Sequence, residues 1–386
     1  MGNNIYGYIR KGKLKKVMKI FESKGTGIVN SRNEDGYPLI HLAVEFKQTA
    51  IIEYFLKIKE VEIDITGPRN LSPLCLAVQK GSVKVCKCLI KGKADVNFQT
   101  TKGYNALHIL CEQEKPEPAL VELLIKYGIN KNAQTRTGLT PIHLAAINGH
   151  LHILRILVEK KANIRKRDYL GMTPFHYACH SNMLSLVKFF LDNDQNTNRT
   201  DNNGSTPLHL MCSKHSPLVN TRLLISKGAN INAVDNDGFV PLMRAIVHRS
   251  NQMMEILLEN KCELNFGKIG CKQFLKQHGV FSSDHPVYRV YKKQIKKNQN
   301  KKESEQLKNK KNPKEKNRDK KSIKRPKNGK NKQSRSESST NPLRYDTVEG
   351  FLQEKKNNNK TKEKKKESSI KNHQNRKNRK KKVKQK

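Results

Sequence analysis

Histidine and cysteine have the widest chemical range of any side chains in this chain, and five of the histidines keep a regular interval. His41, His108, His143, His176 and His209 fill one recurring slot, with Cys75 and Met243 in the same place; successive slots lie 34, 33, 35, 33, 33 and 34 residues apart. An imidazole can serve as a general base, a proton shuttle or a zinc ligand, but each role needs partners within hydrogen-bond or coordination reach. One histidine per period spreads the set along the molecule instead of converging it on a nucleophile or carboxylate. The chain also has no P-loop, dinucleotide fingerprint, His-Glu-x-x-His or nucleophile elbow. Cys111, Cys179 and Cys212 stand three residues after the slot, where other units place Ala146, Val44 and Val78. A thiol there reads as a small buried apolar group. Cys86 and Cys88 form a lone Cys-x-Cys with no second pair at zinc-finger spacing. No enzyme activity, metal or cofactor is expected, and the thiols point to a reduced, intracellular setting.

The elements that carry these residues follow from the same interval. A period near 33, repeated seven times, marks stacked units rather than a globular enzyme. The clearest unit runs Thr137-Gly138-Leu139-Thr140-Pro141-Ile142-His143-Leu144-Ala145-Ala146, then Gly149-His150-Leu151, and ends Ala162-Asn163-Ile164. Thr140 and Pro141 read as the N-cap and first residue of a helix, since the hydroxyl can take an orphan amide and proline has no donor to lose there. Five residues before each slot stand Gly36, Asn70, Gly103, Gly138, Gly171, Gly204 and Gly238, a position that calls for positive φ. Leu151, Leu154, Leu157 and Val158 recur at helical spacing and form a second helix. Helices of about 8 to 10 residues fall short of the ~12 to 15 at which an isolated helix becomes marginal, so each unit must be stabilised by its neighbours.

These strings resemble the ankyrin-repeat family, whose units share Asp-x-x-Gly-x-Thr-Pro-Leu-His-x-Ala-Ala and Gly-Ala-Asp-Val-Asn. The resemblance implies an all-α repeat solenoid with a turn and two short antiparallel helices per unit. Seven units occupy 33–267, a degenerate capping repeat 1–32, a C-terminal cap 268–290, and a disordered Lys-rich tail 291–386. It implies a structural role for the slot histidine, hydrogen-bonding around the turn. It also places the residue four before the slot at the turn bordering a concave face where partners bind. That position holds Tyr37, Leu71, Tyr104, Leu139, Met172, Ser205 and Phe239, six of the seven large and apolar. Either the six line an exposed patch for a protein partner, or each packs on the adjacent turn.

The tail differs in kind. Residues 291–386 carry 37 Lys+Arg against 10 Asp+Glu, a net of +27, with 11 apolar residues among 96. No face there can bury enough area to offset the roughly 1–2 kcal/mol per residue of backbone ordering. Two basic clusters stand out, one containing Lys320, Lys321, Lys324 and Arg325 and the other Arg379, Lys380, Lys381 and Lys382. They suit nuclear import and contact with nucleic acid or another polyanion. Within 341–354, Asp346 and Glu349 fit a capping box and Val348, Phe351 and Leu352 share a helical face, as in a segment that folds on its partner. No run of 18 apolar residues and no secretory signal is present. The expected protein is a cytoplasmic or nuclear scaffold or adaptor that binds a partner through the concave face, its oligomeric state open. The alternative is a nucleic-acid-binding protein acting through the tail. A further one, by family analogy alone, is an effector of an intracellular bacterium.

Overall fold

A computed structural model describes residues 5–180, 183–193, 196–212, 218–264 and 270–311. Both tail clusters and the segment 341–354 lie outside the described residues. The described chain forms helix pairs in sequence order: α1 (Ile5–Arg10) with α2 (Leu14–Lys24), α3 (Leu39–Glu45) with α4 (Thr49–Phe55), α5 (Pro73–Gln79) with α6 (Val83–Lys91) and α7 (Ala106–Cys111) with α8 (Pro118–Lys126). Next come α9 (Pro141–Ile147) with α10 (Leu151–Glu159), α11 (Pro174–His180) with α12 (Leu184–Asn193) and α13 (Pro207–Met211) with α14 (Leu218–Ser226). The last are α15 (Pro241–Val247) with α16 (Asn251–Glu259) and α17 (Cys271–Gln277) with α18 (Pro286–Lys311). From α1 to α15 each first helix packs on the next first helix; from α2 to α16 the second helices do the same, and α18 continues that layer against α16. Among the described residues there is no strand, only an isolated bridge between Arg32 and Pro38.

Local chemistry explains the elements. Thr140 adopts an extended N-cap conformation and Pro141 opens α9 at its first position. The residue that reaches back to the cap is histidine: His143 Nδ1 accepts the Thr140 N–H at 3.1 Å and lies 2.8 Å from the Thr140 hydroxyl. In the ordinary capping box a Glu or Gln takes that part. The third unit repeats the arrangement with Asn105 and His108, the fifth with Thr173 and His176, and the sixth with Thr206 and His209. Leu144, Ala145, Ala146, Ile153, Leu154 and Leu157 are all buried, each large side chain contributing about 1.5–3 kcal/mol of transfer free energy. The two alanines let first helices approach closely. Positive φ is found at Gly138 (+83°) and, without glycine, at Asn70 (+57°), a residue whose short polar side chain tolerates that region.

A second set of bonds knits the units beyond their helices. The Asn97 Oδ1 accepts the Asn130 N–H at 2.7 Å, Asn132 Oδ1 the Asn163 N–H at 2.8 Å, Asn198 Oδ1 the Asn230 N–H at 2.6 Å, and Asn232 Oδ1 the Glu263 N–H at 2.8 Å. Asp64 does the same for the Asp95 N–H. In the fourth unit this place belongs to Arg165, whose guanidinium offers no acceptor.

At the N-terminal end α1 and α2 form a helix pair, with Ile9 and Val17 buried, and the C-terminal end departs from expectation. The expected start of the tail, near 290, falls inside α18, and helical structure continues to Lys311. Val287 is buried, and the Phe281 and Tyr288 rings stand 4.5 Å apart, which docks the first turn. Nucleation is the costly step, and Lys, Gln and Glu then propagate a helix readily although they bury nothing.

Candidate interaction face

The seven pairs from α3/α4 to α15/α16 are each preceded by a finger-like turn closed by a backbone bond from a residue to the carbonyl four later, such as Thr135 N–H to Leu139 O at 2.9 Å and Asp168 N–H to Met172 O at 2.9 Å. The first residue of the finger also caps its interior: Asp168 Oδ1 accepts from the Leu170 and Met172 N–H groups at 2.9 and 2.8 Å, and Asp201 and Asp235 act alike. Successive fingertips are bonded sideways. The Arg136 N–H donates to Lys102 O at 3.0 Å, Tyr169 to Thr137 at 3.2 Å, Asn202 to Leu170 at 3.0 Å, and Asn236 to Asn203 at 2.9 Å. The third to seventh fingers are therefore one continuous row. Gly138 permits the packing, because a Cβ on it would lie 2.6 Å from the Tyr169 nitrogen.

The slot histidines tie this row to the helices. Nε2 donates to a carbonyl of the following unit: His41 to Leu71 at 2.8 Å, His108 to Leu139 at 3.1 Å, His143 to Met172 at 3.2 Å and His209 to Phe239 at 3.0 Å. His176 instead reaches Arg199 O at 3.0 Å. With Nε2 donating and Nδ1 accepting, the ring is neutral. Burial holds His108 and His176 down at about 4 and His143 at about 3. The histidines are structural and well separated along the stack.

The residue four before the slot is held by these same bonds. Leu139 and Met172 keep only 2% and 1% of their surface and pack between turns. Of the two arrangements expected for Tyr37, Leu71, Tyr104, Leu139, Met172 and Phe239, Leu139 and Met172 take the buried one. Tyr37, Leu71, Tyr104 and Phe239 are half-buried. The Tyr104 hydroxyl donates to Glu112 at 3.2 Å, while the Arg244 guanidinium lies 4.6 Å from the Phe239 ring centre.

The exposed apolar pair lies elsewhere, at the tip of the fifth finger. Tyr169 and Leu170 keep 65% and 46% of their surface. Aligned on the slot, the same two positions read Glu34-Asp35, Pro68-Arg69, Thr101-Lys102, Arg136-Thr137, Asn202-Asn203 and Asn236-Asp237. A search for exceptions among the units, rather than regularities, would have found it. Arg69, Lys102 and Arg136 are exposed on preceding tips, as are Arg165 and Arg167 at the base of the fifth finger. Elsewhere the chemistry is quiet. Burial pushes the Cys75 thiol up to about 11 and those of Cys111, Cys179 and Cys212 higher still. Among the described residues no three His, Cys, Asp or Glu side chains gather as a metal site, and no helix is long and apolar enough to cross a membrane.

Stacked helix pairs with a laterally bonded row of fingers define a helical repeat solenoid. The ankyrin-repeat family matches in three overlapping copies, over 40–135, 107–201 and 180–267, more than half of the chain. The chain belongs to that family, whose repeats are general protein–protein interaction modules. Mouse (Mus musculus) Rabankyrin-5 is 25% identical over 139 residues, 36% of this chain and 12% of its own length. The NF-kappa-B p105 subunit of Gallus gallus is 32% identical over 132 residues, 33% of this chain and 13% of its own. An ankyrin repeat protein of fowlpox virus (strain NVSL) is 30% identical over 138 residues, 35% of this chain and 40% of its own. The match therefore spans well under half the length of each of these relatives.

Proposed function

We propose that this chain is a non-enzymatic scaffold or adaptor that binds another protein through its finger row, centred on the fifth finger. The observation that carries this reading is the exposed Tyr169-Leu170 pair on a tip braced from both sides by backbone bonds. A rigid aromatic beside an aliphatic side chain suits a binding hot spot, since little rotamer entropy is lost when it is covered. The test is a photo-crosslinking residue at 169 in the full chain, with the same residue at 155 on the outer helix layer as control. A partner captured from 169 and not from 155 supports the finger row. Equal capture from both, or loss of no partner when Tyr169 and Leu170 become Ser, removes it.

A second reading, contact with nucleic acid, is favoured by one feature of α18. Residues 285–302 contain seven Lys or Arg and no Asp or Glu, with Tyr288 and Tyr291 half-buried beside them. Binding of single-stranded DNA or RNA by the full chain, with log affinity falling by roughly 0.7–0.9 per decade of salt for each phosphate contacted, is its expected signature. Flat salt dependence removes it.

A further inference from the structure

The fingertips carry a charge pattern that selects among partners. The first tip is acidic, with Glu34 and Asp35; the second, third and fourth present Arg69, Lys102 and Arg136; the fifth presents Tyr169 and Leu170; the sixth is the uncharged Asn202-Asn203, and Asp237 on the seventh is paired with Arg244 at 3.6 Å. All three cations are exposed. The nearby carboxylate of Asp168 is buried and occupied, accepting the Tyr177 hydroxyl at 2.6 Å and two backbone N–H groups.

We propose that the finger row takes an extended protein segment in which an acidic run precedes or follows one apolar anchor side chain. The acidic run lies along the tips of the second to fourth units, and the anchor lies on Tyr169 and Leu170. This rests on the finger row being the interaction surface. Three features select this occupant. Charge complementarity requires acid over Arg69, Lys102 and Arg136, steering encounter and fixing register. The apolar pair at one end of the basic stretch requires a side chain that can be desolvated there. The acidic first tip and the uncharged Asn202-Asn203 sixth tip bound a short basic stretch, which suits a short acidic segment better than a long phosphate backbone.

The test is a random peptide library displayed on phage and selected on the full chain at physiological salt. Selected peptides are then synthesised and measured by fluorescence anisotropy against wild type, Y169S/L170S, the conservative Y169F, and R69E/K102E/R136E. Circular dichroism verifies the fold of each. The expected result is enrichment of Asp and Glu beside a single Phe, Leu or Met. Affinity should fall about tenfold or more for both the apolar and the charge-reversal variants, and be retained by Y169F. Peptides that need Tyr169 and Leu170 but show no acidic enrichment leave the finger-row reading standing and overturn the acidic chemistry. Acidic peptides that bind Y169S/L170S as well as wild type are held by basic residues elsewhere, which overturns the proposal. A single-stranded oligonucleotide that binds wild type and is lost in Y169S/L170S overturns it in favour of nucleic acid. No peptide sensitive to either variant overturns both readings.

Discussion

Acidification from about pH 7.5 to about pH 5 should loosen the stack through three histidines that fold only as neutral rings. His108, His143 and His176 sit at about 4, 3 and 4 because burial penalises the imidazolium, whereas an unfolded histidine titrates near ~6.5. Between those values the unfolded chain binds protons that the folded chain excludes, so stability is full above ~6.5 and falls as pH drops through that window. At about pH 5 the difference is roughly 1.5 pH units at ~1.4 kcal/mol each, about 2 kcal/mol per histidine and about 6 kcal/mol for the three. Domain stabilities are about 5–15 kcal/mol, so this loss decides whether the array stays folded. Burial raises the carboxyls of Asp168 and Asp201 above the ordinary carboxylate value. Raised carboxyls favour the folded state on acidification, which partly offsets the loss as pH approaches their range. The assay is urea denaturation of the full chain followed by circular dichroism across this range, with His143→Gln beside it. The variant loses the Thr140 and Met172 bonds and is less stable at neutral pH, but wild type should lose about 2 kcal/mol more than the variant by about pH 5. An unchanged wild-type midpoint, or parallel losses in both proteins, would refute the neutral-histidine account.

Three other outcomes follow from particular residues. Pro38 supplies neither an N–H nor a hydroxyl, and His41 Nδ1 is buried without a partner; Pro38→Thr should stabilise the chain by about 1 kcal/mol in urea denaturation. Arg165→Asn should complete the ladder of side-chain acceptors and add about 0.5–1.5 kcal/mol, read as slower hydrogen exchange at the Asn196 amide; unchanged exchange there excludes the added rung. Replacing Lys320, Lys321, Lys324 and Arg325 together with Arg379, Lys380, Lys381 and Lys382 by Ala should shift a fluorescent fusion from nucleus to cytoplasm, and an unaltered distribution excludes these residues as its address.

Features set within one unit were legible before any coordinates. The interval between slots, the Thr140-Pro141 helix start and the positive φ at Asn70 all depend on local backbone chemistry that repeats with the sequence. Side-chain exposure was not, because period assigns a residue to a place in the unit and says nothing of which way it faces. Leu139 and Met172 are large and apolar at a turn, yet bonds from two other residues hold that turn closed. Tyr169 and Leu170 escaped notice because they break the pattern rather than follow it. The far end of α18 was hidden for a different reason: lysine-rich composition argues against a core, but lysine is a good helix former once a docked turn has nucleated the helix.

The histidine bonds run in one direction only. His108 holds the finger that carries Leu139, His143 the next at Met172, and His209 the one at Phe239, while Cys75 leaves the finger after it without such a donor. The second, fourth, fifth and seventh fingers thus each receive a side-chain bond from the unit made before them. On the ribosome, where the N-terminal end emerges first, a finished pair offers a template for its successor, and assembly can keep pace with synthesis without waiting for the chain to end. Cys75 interrupts that forward relay after the second finger, and His176, which reaches Arg199 O instead, interrupts it again before the sixth.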